Sequence, residues 1–168
     1  MEKFIFFSIF IALILLFPQQ LSYGQFSNIL DDEDMFGYSI TEIGDLNDDG
    51  FIDIVVGVPY DDDGGTNTGA LYILFLNDDG TVKTHQKISA LEGNFEGELD
   101  AGDAFGRAVS NISDFDGDGI NDLAVGAVGD SDGGANAGAL YILFLNSDGT
   151  VKTHQKISAL EGNFEGEL

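Results

Sequence analysis

The sequence predicts an all-β fold made of two four-stranded antiparallel, blade-like units, on three observations. Shifted by 69 residues the chain aligns with itself: "GALYILFLNDDGTVKTHQKISALEGNFEGEL" from Gly69 recurs from Gly138 with Asp78 against Ser147 as the single difference. Short β-branched and aromatic runs are punctuated by glycine, asparagine and aspartate, and no helical period is sustained after residue 26. A glycine-rich period somewhat above that of solenoids points to a compact β unit rather than a helical repeat.

Upstream of the near-identical segments the copies diverge but keep their frame. Leu30-Asp31 matches Leu99-Asp100, Asp34 matches Asp103, Phe36-Gly37 matches Phe105-Gly106, and Asp45 matches Asp114. The units therefore run over 31–99 and 100–168.

Each unit carries four predicted strands, at 36–43, 53–58, 70–76 and 82–91 in the first and 105–112, 122–128, 139–145 and 151–160 in the second. The second and third strands, "DIVVGV" and "ALYILFL" in the first copy, are apolar on both faces, as in strands sandwiched between neighbouring sheets. Between the third and fourth strands, "NDDG" at 77–80 and "NSDG" at 146–149 supply residues that tolerate positive φ, and predict hairpin turns. The fourth strand alternates, with Lys83, His85 and Lys87 on one face, repeated as Lys152, His154 and Lys156. A row of lysines is what an exposed edge strand uses to discourage foreign pairing, and the two histidines read as solvated edge residues without catalytic partners.

Composition narrows the function. The 168 residues carry 30 Asp and Glu against 6 Lys and Arg, a formal charge of −24, which repels nucleic acid and attracts cations. The hydrophobic content of 43% is enough for a core, so this is no acidic disordered tail. At the N-terminus, Lys3, an apolar run over 4–17 and a polar stretch with Ser22 and Gly24 predict an export signal over 1–24, with cleavage after Gly24. The apolar run is short of the roughly 18–20 residues of a spanning helix, so contact with the membrane is expected only through this signal, the rival being an uncleaved anchor. There is no cysteine to form disulfides, which leaves bound metal as a means of bracing.

Two acidic loops fit that role. In "DLNDDGFID" the residues Asp45, Asn47, Asp49 and Asp53 occupy loop positions 1, 3, 5 and 9; in "DFDGDGIND" these are Asp114, Asp116, Asp118 and Asp122. Gly50 and Gly119 at position 6 permit a sharp turn, and Phe51 and Ile120 at position 7 can offer a backbone carbonyl while the side chain packs away. Such all-oxygen sets suit a hard cation, and calcium, flexible in geometry and plentiful outside cells, is the expected ion, with one site per unit. The second site, with four carboxylates against three and an amide, is expected to bind more tightly, and emptied loops to splay through mutual repulsion. Position 12, where helix-flanked calcium loops need a carboxylate, is Val56 or Val125, which disfavours that class.

Phe-Gly at the start of the unit, the D-x-[DN]-x-D-G-x-x-D loop, "VGVP" at 56–59 and the following "GALYIL" together resemble the FG-GAP repeat of integrin α-subunit propellers. The resemblance implies four-stranded blades arranged radially, with calcium in the loop joining the first two strands. The implied ligands are Asp45, Asn47, Asp49, the Phe51 carbonyl and Asp53, then Asp114, Asp116, Asp118, the Ile120 carbonyl and Asp122. The second copy departs at Val128, where the first has Pro59, which is expected to loosen the following turn. Two blades are fewer than the four to eight of closed propellers, so the units are expected to belong to a longer propeller or to self-assemble.

The resemblance implies a secreted or cell-surface adhesion or protein-interaction module whose partner is another protein or a cell-surface ligand. No catalytic group stands out. The alternatives are a non-catalytic propeller portion of an exported enzyme and an acidic calcium buffer. Partner-specific chemistry is expected where the copies differ, in the loops at 59–68 and 128–137, whose Asp61, Asp63, Asp130 and Asp132 read as solvated loop acids.

Overall fold

A computed structural model describes residues 30–164; the predicted export signal at 1–24 lies outside them. Eight strands follow in chain order: β1 (Ser39–Gly44), β2 (Asp53–Val58), β3 (Ala70–Leu76), β4 (Val82–Ile88), β5 (Phe105–Asn111), β6 (Leu123–Ala127), β7 (Ala139–Leu145) and β8 (Val151–Ile157). They form two four-stranded sheets, ordered β1-β2-β3-β4 and β5-β6-β7-β8. Every neighbouring pair is antiparallel, as short hairpin connections require. Among the described residues no helix is long and apolar enough to cross a membrane.

The strand ends differ from the sequence reading by three residues at the start of β1 and at the ends of β4 and β8, each for a local reason, and by one residue at the end of β1, the end of β5 and both ends of β6. β1 starts at Ser39 because Met35 (φ 58) and Gly37 (φ 90) turn the chain, and the Tyr38 amide donates to Met35 O at 3.1 Å. β4 stops at Ile88 because the Ser89 hydroxyl accepts the amides of Leu91 and Glu92 at 3.2 Å each. This side-chain competition with the ladder recurs at Ser158, which accepts Leu160 N at 3.2 Å and ends β8. The predicted hairpin turns form, with Gly80 N on Asn77 O at 3.0 Å and Gly149 N on Asn146 O at 2.9 Å. Val128 does not loosen its turn: Asp130 N reaches Ala127 O at 3.3 Å, matching Asp61 N on Val58 O at 3.3 Å.

Register explains the core. Val55 on β2 shares a face with Ile73, which pairs with it on β3, and Leu71, Phe75 and Ile88 lie on that same face. Those side chains join Phe105, Leu123, Val125, Tyr141, Leu143 and Leu145 of the second sheet in one buried cluster. One face of the first sheet is thus covered by the opposite face of the second, which is the stacking of consecutive blades. Each of these large apolar side chains contributes roughly 1.5–3 kcal/mol on burial.

The sheets come closest where Gly57 faces Gly106. A Cβ on Gly57 would overlap the Gly106 carbonyl oxygen and Ser39 Oγ, and Ser39 Oγ itself donates to Gly106 O at 2.8 Å. The equivalent Gly126 meets only ordinary contact, 3.6 Å from the Ala108 Cβ, on the outward face of the second sheet. Gly57→Ala is therefore expected to lower stability by about 3 kcal/mol, within the range for overpacking, and Gly126→Ala by under about 1 kcal/mol. Urea midpoints measure both, and equal losses would contradict the close approach.

Candidate metal centre

Each acidic loop joins the first two strands of its sheet, β1 to β2 and β5 to β6, and is built by aspartates that accept the loop's own amides. In the first, Asp45 accepts Asp49 N (2.9 Å) and Gly50 N (2.8 Å), Asn47 accepts Asp49 N (3.0 Å), and Asp49 accepts Phe51 N (3.1 Å). In the second, Asp114 accepts Gly117 N (2.7 Å), Asp118 N (3.0 Å) and Gly119 N (3.0 Å). Asp116 accepts Asp118 N (3.1 Å) and Asp118 accepts Ile120 N (2.9 Å). These are Asx-type turns, in which a short acid substitutes for a backbone acceptor. Gly50 and Gly119 take φ 93 and 95, as position 6 was expected to need.

Asp53 and Asp122, at position 9, anchor the loops to the sheets. Both are buried; Asp53 accepts Leu46 N and Leu76 N at 3.1 Å each, and Asp122 accepts Phe115 N at 2.9 Å and Leu145 N at 3.2 Å. Each carboxylate thus ties its loop to the end of the third strand. Burial raises both pKa values above the ordinary aspartate range, against the opposing pull of these amide bonds.

Carboxylate oxygens of Asp114, Asp116 and Asp122 all lie within 4.8 Å of one another, a spacing one cation can span. The all-oxygen donors fit a hard divalent ion. In the first loop the place of Asp116 is taken by the amide of Asn47. Asp118 is outside the convergent triad: one oxygen takes Ile120 N and the other meets Lys152. At position 7, Ile120 is half-buried and packs on the core as expected, whereas the Phe51 side chain is exposed.

The lysine row is solvated only at Lys83 and Lys152, which are exposed, and not at Lys87 and Lys156; all four are paired with acids. Lys83 Nζ lies 2.9 Å from Asp49 Oδ2, and Lys152 Nζ lies 2.7 Å from Asp116 Oδ2 and 2.6 Å from Asp118 Oδ2. The Lys83 and Lys152 hydrogen bonds hold the Asp49 and Asp118 carboxyls below the usual range. Lys87 is buried between Asp61 (2.8 Å) and Asp63 (2.7 Å), and Lys156 is paired with Asp130 (2.7 Å) and Asp132 (2.6 Å). Asp61 and Asp130, read from sequence as solvated loop acids, are buried ion-pair partners. His85 and His154 pack against rings, 5.9 Å from Tyr72 and 5.1 Å from Phe95, and are not solvated edge residues either. The signal that could have placed Lys83 is register: Leu76, whose amide reaches Asp53, pairs with Val82, so the next residue falls beside the loop.

The loop between β2 and β3 reaches the second sheet. Gly102 N donates to Thr66 O at 2.9 Å, Ala104 N to Asn67 O at 3.1 Å and Phe105 N to Thr68 O at 2.9 Å. These bonds latch the start of the second unit onto the first.

Comparison with known proteins agrees with this architecture. The FG-GAP repeat family matches residues 36–74 and 105–143, which cover the first two strands of each sheet and most of the third. Integrin alpha-2 of Mus musculus is 38% identical over 96 residues, covering 56% of this chain and 8% of that protein. Integrin alpha pat-2 of Caenorhabditis briggsae is 43% identical over 94 residues, covering 55% of this chain and 7% of that protein. Phosphatidylinositol-glycan-specific phospholipase D of Bos taurus is 36% identical over 126 residues, covering 73% of this chain and 14% of that protein. The chain thus spans only a small part of the length of each relative.

Proposed function

Because this chain carries two FG-GAP repeats of the integrin alpha type, we propose that it is a secreted or cell-surface calcium-binding module for adhesion or protein interaction, with one calcium bracing each blade. The units are the blades at 31–99 and 100–168, behind an export signal at 1–24. The ligands are the side chains of Asp45, Asn47, Asp49 and Asp53 with the Phe51 carbonyl, and of Asp114, Asp116, Asp118 and Asp122 with the Ile120 carbonyl.

The observation that carries this reading is the convergence of Asp114, Asp116 and Asp122 in a loop whose last acid is bonded to β7. An ion there ties the β5–β6 loop to the sheet, which is a brace rather than a reaction centre. The bovine phospholipase D match favours a second reading, a non-catalytic propeller portion of an exported enzyme.

The blades are further proposed to belong to a longer array. On the outward face of the second sheet, Leu140 is exposed and Ile142 and Phe144 are half-buried, whereas their equivalents Leu71, Ile73 and Phe75 are buried against the next blade. The β6–β7 loop also keeps the latch geometry, with Gly138 N on Asp130 O at 2.8 Å as Gly69 N is on Asp61 O at 2.9 Å. A further blade of the same kind is the occupant that this face and loop fit.

Calcium titration by calorimetry tests the sites. The wild type is expected to bind near two ions, and Asp45→Asn and Asp114→Asn each to weaken one site by about tenfold or more, on the scale of losing a supporting ligand. Unchanged binding in both variants would refute the ligand assignment.

A further inference from the structure

Lys83 and Lys152 occupy equivalent positions at the start of β4 and β8, and each ammonium is seated on acids of its own repeat's loop. Lys152 Nζ bridges Asp116 and Asp118 at 2.7 and 2.6 Å, while Lys83 Nζ meets Asp49 alone at 2.9 Å. The difference follows from one substitution: position 3 is a carboxylate in the second loop and the amide of Asn47 in the first. Asp116 is also one of the three acids whose oxygens converge within 4.8 Å. An oxygen whose lone pairs face an ammonium at hydrogen-bond distance cannot give the same electron density to a metal ion.

We infer that Lys83 and Lys152 are tethered competitors for the cation, each lowering the affinity of its own loop, and that Lys152 competes harder because it holds two carboxylates. The inference rests on the reading that the loops bind a divalent cation. It also changes the ranking drawn from carboxylate count: the extra acid of the second loop attracts the ion and strengthens its competitor at once. Both lysines remain free to swing away, since their side chains are 51% and 40% exposed, and leaving requires no rearrangement of a core. Lys87 and Lys156 differ in this respect, being only 7% and 10% exposed in their own acid pairs.

Two measurements on the full chain test this with calcium as the probe. Lys152→Met is expected to tighten calcium binding at the second loop by about three- to tenfold, and Lys83→Met to tighten the first by less, the modest scale reflecting solvent exposure. Added calcium is also expected to speed acylation of the Lys83 and Lys152 amines by a water-soluble ester several-fold, with Lys87 and Lys156 unaffected as internal controls. Unchanged or weaker binding in Lys152→Met, or unchanged labelling of Lys152 on saturation with calcium, would overturn the competition while leaving the sites intact. Absence of calcium binding in the wild type would instead overturn the reading beneath it.

Discussion

Chelation of divalent cations is expected to lower the melting temperature of this protein by on the order of ten degrees or more. With a Kd of about 0.1 mM, typical of the tighter extracellular modules, about 10 mM calcium stabilises the folded state by roughly 2.7 kcal/mol per site through mass action. Two sites contribute about 5 kcal/mol, and each kcal/mol shifts the midpoint of a domain this size by roughly 2–5 °C. Calorimetric scans across a calcium series check this, the midpoint rising with the logarithm of free calcium. A midpoint that moves by less than about 2 °C between chelator and 10 mM calcium would remove the bracing role. Emptied loops were expected from charge repulsion to splay, but Lys83 and Lys152 give their acids a counter-charge, and Asp45 and Asp114 hold the turn through amide bonds. Calcium loss is therefore expected to loosen the attachment of the loops rather than to melt the sheets at room temperature.

Much of the fold was legible because it rests on short-range signals. The apolar runs at 53–58 and 70–76 and the "NDDG" turn between β3 and β4 are local, and β2, β3 and the hairpin turns fall where they were predicted. The repeat then carried each assignment into the second sheet. The misread strand ends have a cause that hydrophobic pattern does not encode: Ser89 diverts the chain with its own hydroxyl, and Met35 and Gly37 turn it with positive φ. The loop acids at positions 1, 3 and 5 were legible by spacing, since they build Asx-type turns within a few residues, whereas the bond from position 9 to the end of the third strand spans 23 residues of sequence.

The lysines were misread because their partners are distant in sequence. Lys87 meets Asp61 and Asp63 only once β3 has folded between them, and alternation along β4 alone makes its face look like a solvated edge. A lysine two residues from a histidine says nothing of what lies across the sheet. Register does, because Lys87 pairs with Tyr72 and its ammonium lies 5.6 Å from that ring's centroid. The burial of Tyr72 pushes the phenol pKa up to about 12, so this ring stays neutral beside the ion pair across the ordinary pH range.

Asp61→Ala is expected to be among the most destabilising single substitutions in the chain, at about 3–5 kcal/mol, the scale of breaking a buried charge pair from one side. Its carboxylate meets Lys87 Nζ at 2.8 Å with both side chains under a tenth exposed, and it also accepts Asp63 N at 3.0 Å. Removing it leaves Asp63 as the remaining ion-pair partner of Lys87 among the described residues, and that side chain is 31% exposed and already receives Ser89 Oγ at 3.1 Å. The same loop supplies Thr66, Asn67 and Thr68 carbonyls to Gly102, Ala104 and Phe105, so its disorder would also loosen the second blade. Asp130→Ala breaks the equivalent pair with Lys156 but touches no such latch among the described residues, and it is expected to cost about 1 kcal/mol less, the net worth of one to two backbone hydrogen bonds. Adding Lys87→Met to Asp61→Ala removes the stranded ammonium and is expected to recover more than half of the loss, because an apolar chain of similar length suits the buried site. Urea denaturation of the wild type and these three variants decides the matter. An Asp61→Ala loss below about 1 kcal/mol, or a double variant worse than the single, would show that the pair does not hold the loop.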